Sequence, residues 1–132
     1  MAVQPLQART STLRDQRLSK HADYQSVYKQ SRKHFSASMS YFFCARRSEK
    51  SAGSRVGLTA GRVLGKAVER NRIKRRMREA VRSNMQLLTN DVDVVLHPRR
   101  TVLDMDFSKL EREVGRIFQT IDRAMSGKAS QV

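Results

Sequence analysis

Side chains that could perform acid–base or metal chemistry are few in this 132-residue sequence, and no motif gathers them. Two histidines held close together could transfer protons as a general acid and base. The three histidines are His21, His34 and His97. Four aspartates could bind a divalent cation, and these are Asp91, Asp93, Asp104 and Asp106. Their positions at strand ends and before a helix favour capping instead. We therefore predict no catalytic residue and no protein metal site.

The single cysteine, Cys44, indicates neither a disulfide nor a nucleophile. One cysteine cannot form an intramolecular disulfide, which suits a reducing compartment. Its apolar surroundings lack a convincing basic neighbour, so we interpret it as a packing residue. The sequence also lacks zinc-ligand spacing, a glycine-rich phosphate loop, a signal peptide and a run of about 20 apolar residues. These features together predict a cytoplasmic protein.

Positive charge is the strongest signal. The chain has 27 Lys and Arg against 12 Asp and Glu, a net charge of +15. Residues 1–82 contain 20 basic and 5 acidic side chains, whereas residues 83–132 contain 7 of each. A solvated surface needs charge, but it does not need one sign on one side. The asymmetry therefore indicates a polyanionic partner, most often nucleic acid.

The basic side chains are densest in a segment that has the period of a helix. Ile73, Met77 and Val81 form one apolar stripe, which we expect to face a core. The basic residues must then cover the rest of the helix; they are Lys66, Arg70, Arg72, Lys74, Arg75, Arg76, Arg78 and Arg82. Like charges three or four residues apart destabilise a helix by about tenths of a kcal/mol per pair, and phosphates would neutralise them. A basic amphipathic helix can also lie on a membrane, but this stripe lacks large aromatic residues.

Aromatic residues cluster in the first third of the chain, where they could stack on unpaired bases. Tyr24 and Tyr28 lie four residues apart, on one face of a predicted helix. In the strand that follows, Tyr41 and Phe43 face one side and Phe42 faces the other. One of these sets must be core, and only the other can offer a stacking surface.

The strands that would position these residues follow from composition. Strand-forming residues occupy 38–45 and 55–60, and we predict that these two strands pair as a hairpin. A third, valine-rich strand begins at Val92 and is closed by Pro98. A polar loop over 31–37 precedes the first strand, and a glycine-containing connector, residues 61–65, follows the second.

Three helices complete the predicted order α-β-β-α-β-(β)-α. The first begins at the N-cap Ser19 and ends near Gln30; the others span about 67–88 and 108–124. This order predicts an α+β fold, a small two-layer α/β sandwich. It forms a single domain over residues 18–125, between a flexible basic arm (1–17) and a disordered tail (126–132).

Residues 55–79, RVGLTAGRVLGKAVERNRIKRRMRE, resemble the signature segment of the bacterial ribonuclease P protein family. Its R-N-R-x-K-R string occupies residues 70–75, and weaker similarity extends over roughly residues 13–123. The sequence departs from the family at the turn after the second strand, where Arg62 and Val63 stand in place of the usual pair of lysines. The resemblance implies a left-handed βαβ crossover and a fold shared with some ribosomal proteins.

The resemblance also implies the function and its sites. The family's RNA subunit removes the 5′ leader of precursor tRNA by Mg²⁺-dependent hydrolysis, and the protein binds that RNA and holds the leader. The implied RNA-binding residues are Arg62, Lys66, Arg70, Asn71, Arg72, Lys74, Arg75, Arg78 and Arg82. A cleft between the first helix and the sheet would bind the leader, with Tyr24 and Tyr28 on the helix and Met39, Tyr41 and Phe43 as the preferred strand set. Ribonuclease P RNA and precursor tRNA are the implied partners, with no membrane and no obligate protein partner.

Three alternatives make different experimental predictions. A ribosomal or RNA-assembly protein of the same fold would bind ribosomal RNA without affecting tRNA processing. A protein-only nuclease that uses the aspartates would cleave RNA without an RNA cofactor. A membrane-surface protein would partition onto anionic liposomes.

Overall fold

A computed structural model describes residues 17–18, 20–46 and 53–131 of the chain. The helices are α1 (His21–Gln30), α2 (Ala67–Asn84) and α3 (Phe107–Gln131). The strands are β1 (His34–Phe35), β2 (Met39–Ala45), β3 (Arg55–Leu58) and β4 (Val92–Pro98). Short 3₁₀ helices occupy Arg62–Leu64, Met85–Leu87 and Arg100–Leu103. The predicted α+β class is confirmed.

The strands form one mixed sheet in the order β1-β2-β4-β3. The predicted hairpin between the second and third of these strands is wrong, because β4 lies between β2 and β3. β4 is antiparallel to β2 and parallel to β3, so α2 is the crossover from β3 to β4. The reason is that β4 is apolar at consecutive positions and is buried on both faces, as a central strand must be. β2 and the short β3 lie on either side of it.

Several element bounds differ from the prediction. Residues 31–37, which were expected to form a loop, contain β1. The predicted order allowed a further strand after β4, but the 3₁₀ helix Arg100–Leu103 follows β4 instead. α2 ends at Asn84 rather than near residue 88, while α3 continues through residues 126–131 of the predicted tail. The predicted arm lies outside the described residues except for Arg17, which forms a β-bridge with Val56, and the predicted N-cap Ser19 also lies outside them.

Helices cover both faces of the sheet. The larger core lies under α2 and α3, where Ile73, Met77 and Phe118 are fully buried against β2 and β4. The smaller core lies under α1 on the opposite face, where Val27 packs with Leu18 and Val95. Alternation along each strand assigns its side chains to one core or the other. This assignment decides which aromatic residues can form a binding surface.

Candidate nucleic-acid interface

On the α1 side of the sheet, four rings form a partly exposed surface that we call the aromatic face: Tyr24, Tyr28, Phe42 and His97. The Tyr28 ring meets Phe42 edge-on, with ring centroids 5.0 Å apart. His97 completes the cluster, with its centroid 5.7 Å from Tyr28 and 5.3 Å from Phe42. Partly exposed rings fixed by one another present flat apolar area without losing further side-chain entropy, which suits base stacking.

The Tyr28 hydroxyl oxygen lies 2.9 Å from Nε2 of His97. Burial, and to a smaller extent the charge of Lys33, hold the pKa of His97 below its ordinary value. The neutral imidazole can accept this hydrogen bond at Nε2 when its Nδ1 carries the proton. Burial likewise raises the pKa of the Tyr28 phenol. Both groups are therefore uncharged at neutral pH, and the aromatic face adds no charge of its own.

Tyr24 anchors α1 to the edge of the sheet. Its hydroxyl accepts a hydrogen bond from the backbone N–H of Leu58 (3.1 Å) and lies 3.1 Å and 3.2 Å from the carbonyl oxygens of Leu18 and Leu58. Burial raises the pKa of this phenol, and the hydrogen bond with the Leu58 backbone opposes the shift. The hydroxyl of Tyr24 is thus engaged by the protein backbone, while Tyr28 faces the other aromatic side chains.

The close approach of Tyr24 to β3 requires a glycine at position 57. A Cβ atom there would lie 2.5 Å from the Tyr24 hydroxyl oxygen and 2.6 Å from Cζ. We expect Gly57→Ala to displace Tyr24 and to lower the free energy of unfolding by about 1–3 kcal/mol, as overpacking does. Gly61→Ala is the matched control, because a Cβ at position 61 meets nothing within 4 Å. Urea denaturation should separate the two variants; equal stabilities would contradict this placement of Tyr24.

The strand residues preferred for the cleft lie on the other face of the sheet. Met39 is fully buried and Tyr41 is 6% exposed, both within the core under α2 and α3, and Phe43 packs against that core. The preference for Met39, Tyr41 and Phe43 is therefore corrected. The opposite set, which includes Phe42, shares the face of Tyr24 and Tyr28 because side chains alternate along β2.

α2 presents the predicted basic surface. Ile73, Met77 and Ala80 are its buried residues. Asn71 is exposed, Arg70 and Lys74 are half-buried, and the other predicted RNA-binding residues are exposed, namely Arg62, Lys66, Arg72, Arg75, Arg78 and Arg82. In the described part of the chain, no carboxylate lies within salt-bridge distance of Arg72, Arg75 or Arg78. This charge is left for an external anion.

Arg76 is basic like its neighbours, but it belongs to the protein's own packing. Its Nε donates to the carbonyl oxygen of Val102 over 2.9 Å, and Nη2 donates to the carbonyl oxygen of Met105. Its guanidinium carbon lies 5.8 Å from the centre of the Phe107 ring. Arg76 thereby joins α2 to the segment that leads into α3, and two of its guanidinium nitrogens donate to backbone carbonyls.

A groove of about 620 Å³ joins the basic helix to the aromatic face. Apolar residues of β3 and α2 line its floor, among them Val56, Leu58 and Val81. Its polar lining comes from Arg17 and Tyr24 on one side and from Arg75, Arg78, Glu79 and Arg82 of α2 on the other. A single strand of RNA lying on the aromatic face could therefore continue toward the guanidinium groups of α2.

The histidines do not form an acid–base pair. His34 stacks on Tyr41 and Phe43 on the α2 and α3 side of the sheet, whereas His97 belongs to the aromatic face on the opposite side. His21 is the exposed first residue of α1. The sheet itself separates His34 from His97.

The aspartates of the alternative metal site are used in protein contacts or lie apart. Asp93 accepts two hydrogen bonds from Arg55, at 2.9 Å and 2.8 Å, and Asp91 accepts one from the backbone N–H of Gly53. Asp104 follows a 3₁₀ helix, and the carbonyl of Asp106 accepts from Leu110 in the first turn of α3. Within the described ranges, no three His, Cys, Asp or Glu residues gather to hold a metal ion. Cys44 is half-buried beside the α1 core.

A mixed sheet with helices on both faces, an arginine-covered crossover helix and an adjoining aromatic surface define a small nucleic-acid-binding α+β domain. A family model described as Ribonuclease P matches residues 13–122. The chain belongs to this family of ribonuclease P proteins.

Individual relatives agree with this assignment. The chain is 39% identical over 103 residues to the ribonuclease P protein component of Symbiobacterium thermophilum, covering 78% of this chain and 88% of the relative. It is 35% identical over 95 residues to that of Finegoldia magna, covering 72% and 80%. The ribonuclease P protein structure from Thermotoga maritima matches with a TM-score of 0.66 at 25% identity, covering 79% of this chain and 96% of that one. A Staphylococcus aureus ribonuclease P protein shares the fold, with a TM-score of 0.67 at 24% identity and coverage of 80% and 94%.

The helices of the described residues are all too short or too polar to cross a lipid bilayer.

Proposed function

We propose that this chain is the protein subunit of a bacterial ribonuclease P, which binds the catalytic RNA through α2 and the 5′ leader of precursor tRNA on the aromatic face. The observation that carries this proposal is the groove that places the arginines of α2 beside Tyr24. Membership of the ribonuclease P protein family supplies the reaction class. The geometry supplies two complementary surfaces, one for phosphates and one for unpaired bases.

The basic helix supports binding to structured RNA. A helix with exposed arginines on most of its surface can meet phosphates from several directions, and guanidinium groups form paired hydrogen bonds with phosphate oxygens. Bound phosphates would relieve the repulsion between neighbouring arginines. The affinity of this surface should therefore fall steeply as salt rises.

The aromatic face supports binding to a single strand. The bases of a paired helix are stacked on one another, so exposed rings bind best where bases are free. The leader of precursor tRNA is such a strand, and mature tRNA lacks it. In this proposal the protein positions the leader, and the RNA subunit performs the Mg²⁺-dependent hydrolysis. We assign no step to a metal held by the protein.

Reconstitution tests the proposal. Purified protein should bind ribonuclease P RNA and restore site-specific cleavage of precursor tRNA at low Mg²⁺, where the RNA alone is slow. Protein without RNA should leave the substrate intact. Site-specific cleavage by the protein alone would instead assign a protein-only nuclease. Selective binding of ribosomal RNA, with no effect on leader removal, would assign the ribosomal or assembly alternative.

A further inference from the structure

Phe35 is a large apolar side chain that is 67% exposed at the outer edge of the sheet. It lies in β1, where it pairs with Ser40 of β2, and Ser40 pairs in turn with His97 of β4. Directly paired residues project from the same face of a sheet. Phe35 therefore lies on the face of His97 and Tyr28, two strands away from His97, a separation of about 10 Å at the usual strand spacing.

The contacts of the preceding residue confirm this direction. His34 stacks on Tyr41 at 5.2 Å and on Phe43 at 5.0 Å, and both of those rings belong to the core under α2 and α3. Successive strand residues point to opposite faces, so Phe35 projects toward the α1 side. Its ring thus extends the row of rings on that side as far as the edge of the sheet.

A lysine lies beside this exposed ring, and an arginine precedes that lysine in the chain. The ammonium nitrogen of Lys33 lies 5.6 Å from the centre of the Phe35 ring, and Arg32 and Lys33 are both exposed. Among the described residues, no carboxylate lies within salt-bridge distance of either cation. A flat ring beside unpaired cations is complementary to a base and its phosphate, whereas an apolar protein partner would leave two charges to be desolvated.

We propose that Phe35 and Lys33 form an additional stacking site for one unpaired base of the leader, beyond the nucleotides that contact Tyr28 and Phe42. The ring of Phe35 stacks on the base, and Lys33 contacts the phosphate beside it. The inference rests on the proposed function, because it extends the same single-strand surface to the β1 edge. It adds a contact that only a leader long enough to reach this edge can make.

A leader-length series tests this site. Affinities of the reconstituted holoenzyme would be measured for precursor tRNAs whose leaders increase one nucleotide at a time, with wild-type protein, Phe35→Ala and Phe35→Trp. We expect Phe35→Ala to match wild type for short leaders and to bind long leaders about fivefold or more weakly, the loss of one stacked base. Phe35→Trp keeps a stacking ring and should retain the long-leader affinity.

Lys33→Gln should also weaken the binding of long leaders only. For these leaders, the slope of log affinity against log salt concentration should fall by up to about one unit. Lys109→Gln is its matched control, since Lys109 is an exposed lysine in the first turn of α3, the helix packed on the opposite face. It should leave the length dependence unchanged.

The outcomes distinguish this inference from the function on which it rests. If wild-type affinity does not depend on leader length, the leader-binding function fails and the site fails with it. If the dependence is present but Phe35→Ala has no effect at any length, only the Phe35 site is wrong. The Phe35 site is also wrong if Phe35→Ala weakens the binding of leaderless tRNA as much as the binding of tRNA with a long leader. If the free protein self-associates, and Phe35→Ala abolishes this self-association without changing leader binding, then the Phe35 ring forms a contact between copies of the chain instead.

Discussion

Replacing Tyr28 with alanine is expected to weaken binding of precursor tRNA by about 5- to 150-fold while leaving the affinity for mature tRNA nearly unchanged. This range corresponds to the loss of about 1–3 kcal/mol for one stacked base. Tyr28 is half-buried, and its ring also supports Phe42 at 5.0 Å and His97 at 5.7 Å. Its removal should therefore disturb the whole aromatic face as well as one stacking contact.

Two further variants separate stacking from stability. Tyr28→Phe keeps the ring and loses only the hydrogen bond to His97, so most of the affinity should remain. Tyr41→Ala removes a ring that is only 6% exposed in the opposite core, and it should cost about 3–5 kcal/mol of stability. Any loss of binding in Tyr41→Ala should be the same for both RNAs. Thermal unfolding and affinities with and without a leader would be measured for all three variants.

The prediction has a clear contrary result. If Tyr28→Ala is strongly destabilised and loses both RNAs equally, Tyr28 is a core residue like Tyr41. The leader would then have to bind elsewhere on the protein.

Replacing Arg72, Arg75 and Arg78 together with glutamine is expected to weaken RNA binding on the order of 100-fold at about 0.1 M salt. Each phosphate contact contributes close to one unit to the slope of log affinity against log salt, so the slope should fall by about two to three units. The three side chains are exposed and form no salt bridge with the described carboxylates. Their removal should leave stability unchanged or slightly improved, because like-charge repulsion along α2 decreases.

Arg76→Gln is the matched control on the same helix. It removes charge-assisted hydrogen bonds to the carbonyl oxygens of Val102 and Met105, which should cost about 1.5–3 kcal/mol of stability. For the folded Arg76→Gln protein, the slope of log RNA affinity against log salt concentration should stay close to that of wild type. Salt titrations of RNA affinity and urea denaturation would be run on both variants. An unchanged slope in the triple variant would mean that α2 does not contact phosphate.

Local features of the sequence determined the basic surface and the family resemblance. The stripe of Ile73 and Met77 sets which side of α2 is buried, because helical period depends only on residues within a few turns. The excess of arginine on the remaining sides is likewise visible without any partner in space. The resemblance of residues 55–79 to ribonuclease P proteins is local as well, and the family match over residues 13–122 confirms it.

Strand pairing and the identity of the aromatic face were decided by tertiary structure. β2 has aromatic residues at both odd and even positions, so its sequence allows either Tyr41 or Phe42 to face α1. The sequence did contain a signal for the correct choice. Met39, Tyr41 and Phe43 are more apolar as a set than the residues on the other face of β2, and the more apolar face of a strand belongs in the larger core. The hairpin prediction failed because chain order does not reveal that β4 enters between β2 and β3.

Arg75 and Arg76 also show that neighbouring residues of the same type can take different roles that only tertiary contacts distinguish. The two are identical and adjacent in sequence, yet Arg75 lines the groove while Arg76 donates to the backbone before α3. His34 and His97 differ in the same way, each taking the face that its strand partner takes. Side-chain period along one element is a local property, whereas the carbonyl, ring or strand that an element meets is set by the packing of distant segments. Residue types and spacing therefore revealed an arginine-rich helix with one apolar stripe, whereas the packing of distant segments set which of its side chains stay exposed.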